Sequence, residues 1–306
     1  MVFASSQKMT DLRQTVNYAS YLRLQGWIVE RVNSVNYFIK KIPIIGSVLK
    51  VQRPNKIDTT SMNRIIEKYH CFQISVEPNL STSVGSILKN NHNLLLSHGF
   101  KLSRSPYLPT KTLQIDLTQS LANIHKKFKR NIRKGIAMGE SFKTKVYSSP
   151  KELEIFQKAW KKSVEFSRHV PAVNDLLNLQ KSFTNNNSLF LASHNISGNI
   201  IGGVIFTKVS HESVHYMYGF TSKEGRASLT HAALLYQGIL WGKRNNCKIF
   251  DFEGIYDNRF PNKSWLGFTQ FKKSFGGFEV TYPGCYIKYN PKNVFPFLSP
   301  QTSSFK

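Results

Sequence analysis

The chain has 306 residues, of which 41% are hydrophobic, and a formal net charge of +25. The apolar content excludes a disordered tail, and the length suits two domains of ordinary size. A cationic surplus this large calls for an anionic partner such as nucleic acid, a phosphate-bearing substrate or an acidic lipid surface; a merely basic exterior is the plainer account.

In chain order, Leu12, Val16, Ala19 and Leu22 recur at helical spacing, with Gly26 as the stop. "WIVERVN", "VNYFIKKI" and "SVLKVQ" then read as three strands, the first two joined at Asn33-Ser34. "YFIKKIPIIGSVLKV" is apolar, but Lys40, Lys41 and Pro43 interrupt it and it is too short to span a bilayer, so it reads as two buried strands. A helix near Ser61–Tyr69, the strand "CFQISV", the helix "VGSILKNNHNLLLSHG" and the strand "KTLQIDL" follow. "TQSLANIHKKFKRNIRKGIAMG" predicts one long basic helix.

The plan then restarts. "FKTKVYSS" is a strand, and "PKELEIFQKAWKKSVEF" a helix with proline in its first turn. A helix near Val173–Phe183 leads into a three-stranded meander, "SLFLASHN", "NIIGGVIFTKVS" and "SVHYMYGFTS". "SLTHAALLYQGILWGKRNN" is a helix, "KIFDFEG" a strand, "FTQFKKSF" lies in a short helix, and "FEVTYPGCYIKYN" predicts a closing strand pair. The expectation is a mixed α+β fold of two similar units meeting near residues 140–150. No Gly-, Pro- or Ser-rich linker parts them, so they are expected to pack across a shared cleft, where ligands favour binding.

Several motifs bear on chemistry. Lys126, Lys127, Lys129, Arg130, Arg133 and Lys134 crowd two turns without an acid among them. Like charges so close repel, which implies a compensating anion such as a phosphate backbone, with Phe128 and Ile132 facing the core; a solvated helix face is the alternative. Aromatics are too sparse there for base stacking. "HESVH" at His211–His215 matches the zinc-hydrolase pattern HExxH, but that chemistry needs a helix and the flanks are β-forming. In a strand the two imidazoles would lie roughly 13 Å apart. Asn195 heads a glycosylation sequon, discounted because no apolar leader opens the sequence. No P-loop, GxGxxG or GxSxG occurs. Cys71, Cys247 and Cys285 are far apart and form no CxxC, which argues against a disulfide framework or cysteine zinc site and suits a reducing cytoplasm.

Asp251 and Glu253 end a predicted strand, where alternation places both on one face. There they act either as a base for an attacking amine or as acceptors for loop hydrogen bonds. Phe268, Phe271 and Phe275 form one helical stripe. Lys272 beside it, at the expected cleft edge, would offer a fixed positive charge to an oxyanion forming on an acyl carbonyl.

Taken in order, "VHYMYGFTS", "LLYQGILWGKRNNCKIFDFEGI" and "GFTQFKKSFGGFEVTYPG" resemble the Fem family of peptidoglycan interpeptide-bridge aminoacyltransferases. So do "YLRLQGWIVERV", "KIPIIGSVLKVQRP", "ISVEP" and "KKFKRNIRKG" in the first half. The resemblance implies two GNAT-like domains, here 1–145 and 146–284, with about 285–306 returning to the first. With no sustained heptad for a coiled-coil arm, the chain is similar to the shorter FemX type. The resemblance implies aminoacyl-tRNA as co-substrate, with no other cofactor and no metal. The acceptor would be a peptidoglycan precursor, UDP-MurNAc-pentapeptide or lipid II, and the reaction ester aminolysis. It assigns Phe271 and Lys272 to catalysis, Lys272 stabilising the oxyanion, and Tyr216 and Tyr218 to the substrate site. Asp251, Glu253, Lys129, Arg130 and Arg133 join them as substrate-binding candidates. Where some members carry a phosphate-contacting lysine in the first helix, Tyr18-Ala19-Ser20 stand here. A cytoplasmic monomer, with room for peripheral contact at the inner membrane face, completes the expectation. Rival readings are an acyl-CoA N-acyltransferase on the same fold and a non-catalytic RNA-binding or wall-associated module.

Overall fold

The computed structural model describes residues 9–79, 85–139, 141–164, 169–184 and 186–294. The chain forms two units: one holds the residues up to Thr110 and those from Thr281 on, the other Lys111–Val280. No described helix is long and apolar enough to cross a membrane.

In the first unit a short 3-10 turn leads into α1 (Val16–Leu24), where the Thr15 hydroxyl caps the Tyr18 N–H. Gly26 ends the helix with φ +74°. β1 (Ile28–Val32), β2 (Val35–Ile42) and β3 (Gly46–Gln52) are the three expected strands. Asn33 and Ser34 both have positive φ, +49° and +64°, the backbone of a two-residue hairpin turn. β2 is buried on both faces. Val35, Tyr37 and Ile39 pack with Met62 and Ile65 of α2 (Thr59–Lys68), while Phe38 meets Tyr18 of α1. β4 (Cys71–Glu77) then runs parallel to β3 from Ser47↔Cys71 to Gln52↔Glu77. α3 (Gly85–Ser97) and the two-residue β5 (Lys101–Leu102) follow.

The second unit begins at β6 (Lys111–Asp116), earlier than the residue 140–150 boundary that the pattern suggests. The reason is strand partnership: β6 pairs antiparallel with β11 (Ile249–Gly254), well over a hundred residues downstream. The basic segment is two helices, α4 (Leu121–Lys126) and α5 (Arg130–Gly139), and not one. Between them Phe128 turns into the core against Phe275, and the Lys129 N–H donates to the Ser274 carbonyl at 2.8 Å. β7 (Lys143–Val146) precedes α6 (Pro150–Ser163), which opens with a Ser149/Glu152 capping box and proline, and α7 (Val173–Ser182). The meander is β8 (Ser188–His194), β9 (Ile200–Val209) and β10 (Ser213–Thr221). The short α8 (Lys223–Ala227) leads to α9 (Thr230–Arg244). α9 lies close on the sheet because Gly238 leaves room: a Cβ there would stand 2.4 Å from the Phe206 ring. α10 (Leu266–Lys273) and β12 (Phe278–Thr281) complete the unit. Among the described residues its sheet has seven strands in the order β12-β6-β11-β10-β9-β8-β7.

The expected closing strand pair does not form. β12 joins the seven-stranded sheet, while β13 (Tyr286–Tyr289) inserts between β4 and β5 in the first unit's sheet, ordered β1-β2-β3-β4-β13-β5. Pro283 and Gly284 stand between the two strands.

Candidate functional site

In the second unit, β10 and β11 run side by side for only three residue pairs, Ser213↔Ile249, Val214↔Phe250 and His215↔Asp251. β10 continues along β9 as far as Thr221↔Gly202, and β11 along β6 as far as Gly254↔Thr112. Both carry a register shift where they part, β10 between Tyr216 and Tyr218 and β11 between Asp251 and Gly254. A parting of two parallel strands leaves backbone carbonyls without ladder partners, which must be satisfied elsewhere.

Lys272 satisfies them. Its Nζ donates to the carbonyl oxygens of Phe252 and Gly254, each at 2.7 Å, and only 9% of the residue is exposed. Its place in the last turn of α10 adds the favourable end of the helix dipole. The rings of Phe268 and Tyr216 lie 5.1 and 5.6 Å from the ammonium. Burial pulls its pKa down to about 8, against the opposing pull of the Glu253 and Asp251 carboxylates. At neutral pH it is therefore still largely charged. An ammonium has three N–H donors; two are used, and the third has no hydrogen-bond acceptor among the described residues.

Lys272 lines a cavity of about 600 Å³ with Tyr216, His231, Phe268, Phe271 and Arg226. The Tyr216 hydroxyl and His231 Nε2 are 2.9 Å apart, and the buried Nδ1 of His231 has no hydrogen-bond partner. Burial first, then the Lys272 charge, lowers the His231 pKa to about 4, so the imidazole is neutral at neutral pH. Burial raises the Tyr216 hydroxyl well above its usual value, so it stays a phenol. Sequence reasoning passed over His231, because one histidine in the first turn of an apolar helix carries no local signal.

The site thus brings together Lys272, Phe271 and Tyr216. Phe271 packs on His231 and Phe275, with centroids 5.6 Å away in each case. Tyr218 is not with them. The bulge pairs Tyr216 with Phe206 but Tyr218 with Ile205. Phe206 and Ile205 are neighbours on one strand and face opposite ways, so the two tyrosines do too, and Tyr218 packs on Trp160 of α6.

Asp251 and Glu253 lie behind Lys272 and do not line the cavity. Asp251 is buried. One of its oxygens accepts from Gln114 Nε2 at 2.8 Å and the other from the Glu253 N–H at 2.6 Å. Burial and the neighbouring Glu253 raise its pKa. Simple alternation does not hold here, since Glu253 has φ +59° at the bulge. Its carboxylate pairs with His215 Nδ1 at 2.8 Å. Both residues therefore match the hydrogen-bond acceptor reading more closely than that of a base open to substrate.

Lys129, Arg130 and Arg133 are exposed, as are Lys126, Lys127 and Lys134, and none forms an ion pair with a described acid, while Phe128 and Ile132 are buried. The HExxH segment is no helix: Ser210–Glu212 is a turn and His215 lies in β10. His211 Nδ1 meets the Asn245 carbonyl, and His215 meets Ser213 and Glu253. No group of described His, Cys, Asp or Glu residues is placed to hold a metal ion. The three cysteines are buried and free.

No protein-family model and no curated protein matches this sequence. Solved structures do match its fold. FemX superposes with a TM-score of 0.78 over 96% of both chains, at 15% identity. L-PGS from Bacillus licheniformis follows at 0.56, over 88% of this chain and 86% of its own, at 13% identity. A tandem GNAT protein from the clavulanic acid biosynthesis pathway gives 0.53, over 83% and 82%, at 8% identity. These likenesses define the class of fold: a tandem GNAT-like, FemX-like α/β protein. No coiled-coil arm is found among the described residues.

Proposed function

We propose that this chain is an aminoacyltransferase of the Fem type, which moves an amino acid from aminoacyl-tRNA to an amino group on the stem peptide of a peptidoglycan precursor. The observation that carries this reading is the buried Lys272 ammonium, held by two strand carbonyls with one N–H left over, on the wall of a cavity. The FemX-like fold and the sequence likeness to the Fem family point the same way. So does the exposed basic face of α4 and α5, suited to the phosphates of an RNA donor.

In this mechanism the acceptor's neutral amine attacks the ester carbonyl of the aminoacyl group. The new C–N bond forms as the carbonyl π pair moves onto oxygen, and the third N–H of Lys272 stabilises that oxyanion. Collapse breaks the ester C–O bond, the amine proton passes to the departing ribose oxygen, and a peptide bond remains. The neutral imidazole of His231 holds the Tyr216 phenol at the cavity wall. The protein's contribution is positioning and charge, with no ATP consumed.

The test incubates the protein with charged, radiolabelled tRNAs and either UDP-MurNAc-pentapeptide or lipid II. Label on the precursor supports the reading and identifies the acceptor. No transfer to either, with acetyl-CoA consumed by an amine acceptor, would replace it with an acyl-CoA N-acyltransferase, in line with the tandem GNAT likeness. RNA binding without any transfer would leave a binding module.

A further inference from the structure

We propose that Glu253 is a positioning residue for Lys272: its carboxylate, tied to His215, fixes the left-handed bulge of β11 and supplies the countercharge that keeps the ammonium in place. The backbone carries the first part of the argument. Glu253 has φ +59°, where a side chain bearing a Cβ is strained and glycine is at ease. A residue keeps such a conformation only when its surroundings over-determine it. Here they do so from both ends: Asp251 accepts the Glu253 N–H at 2.6 Å, and the Glu253 carboxylate meets His215 Nδ1 at 2.8 Å. His215 is buried and Glu253 half-buried, with side chains 6% and 14% exposed. Ser213 Oγ lies 2.9 Å from the other nitrogen of His215 and fixes the ring.

The second part is location. The carbonyls that hold Lys272 belong to Phe252 and Gly254, the residues on either side of Glu253. The conformation of this one residue therefore aims both acceptors. The third part is charge. The titratable groups around the ammonium are Asp251 and Glu253 on β11, His215 and Tyr216 on β10, and His231 on α9, with Arg226 of α8 across the cavity. Of the two carboxylates, Glu253 is the stronger in favouring the charged ammonium. The inference rests on the proposed function only in that the oxyanion step uses this charge.

The experiment follows the titration of Lys272 by NMR in lysine-labelled protein, its signal assigned by loss in Lys272→Met. Glu253→Gln keeps the side-chain shape and removes the charge; Glu253→Gly removes the charge and relaxes the backbone. Both are expected to move the Lys272 midpoint to lower pH, by on the order of one pH unit, and the alkaline limb of transfer should move with it. A midpoint unchanged in both variants overturns the proposal, as does a shift in Glu253→Gln that is absent in Glu253→Gly, which would trace to strain alone. Should Glu253→Gln fail to fold, the glycine variant decides alone. Because the titration needs no substrate, wild-type protein without transfer activity would sink the functional reading and still test this one.

Discussion

The two units each place a parallel strand pair after an antiparallel hairpin, and the pairs differ in how they end. In the first unit β3 and β4, after a register shift between Ser47 and Val48, stay paired to Gln52↔Glu77, and the Arg53 N–H still donates to the Glu77 carbonyl. Glu77 is buried there and accepts the N–H groups of Tyr107 and Leu108. In the second unit β10 and β11 part after His215↔Asp251, and Lys272 answers the carbonyls left behind. One buried group closes an end, its Oε1 taken by two backbone N–H groups and its Oε2 facing no hydrogen-bond donor; the other props an opening and has a donor turned to a cavity. The same plan is thus structural where the ladder runs its full length and fit for chemistry where it stops.

Four experiments press on this contrast. Lys272→Met should lower transfer by roughly 10²–10³-fold, the scale of one lost oxyanion donor, with tRNA affinity unchanged in a filter-binding assay. Equal loss of binding would make Lys272 a structural prop like Glu77. Glu77→Ala should instead cost the first unit about 1–3 kcal/mol by removing the acceptor of two part-buried N–H groups, read from amide exchange there, while the Lys272 titration stays where it was. A moved titration would join two features held separate here.

The pH profile comes next. Lys272 must be protonated to act, so transfer per neutral acceptor amine should hold below about 8 and fall as pH rises through that value. About a tenth should remain one pH unit above the midpoint. A profile flat to pH 10 would remove the ammonium from the mechanism. The smallest effects should come from the tyrosines: Tyr216→Phe lowers transfer about tenfold through the lost hydroxyl contact with His231, and Tyr218→Phe by less than about twofold, within the range of one exchanged hydrogen bond. Equal effects would deny that the bulge sorts the two onto opposite faces.

Much of the fold was legible because short-range rules fix it. The Asn33-Ser34 turn, the Gly26 stop and the Pro150 start each carry their own signal, and the helical and strand periods locate nearly every long element. The outward basic face of α4 and α5 follows from the same period, since Phe128 and Ile132 must go inward. Lys272 stood out as a lysine set beside the Phe268, Phe271 and Phe275 stripe, and likeness to a family gave it a candidate role.

What the sequence determined by itself is therefore which residues are apolar, where the chain turns, and that it is strongly cationic. Tertiary structure alone decided the division at Lys111, the break in the basic helix at Phe128, the opposite faces of Tyr216 and Tyr218, and the meeting of His231 with Tyr216. The physical reason is the same in each case. Periodicity reports which side of an element is buried, whereas strand partners, register shifts and the point where a ladder stops depend on residues far along the chain.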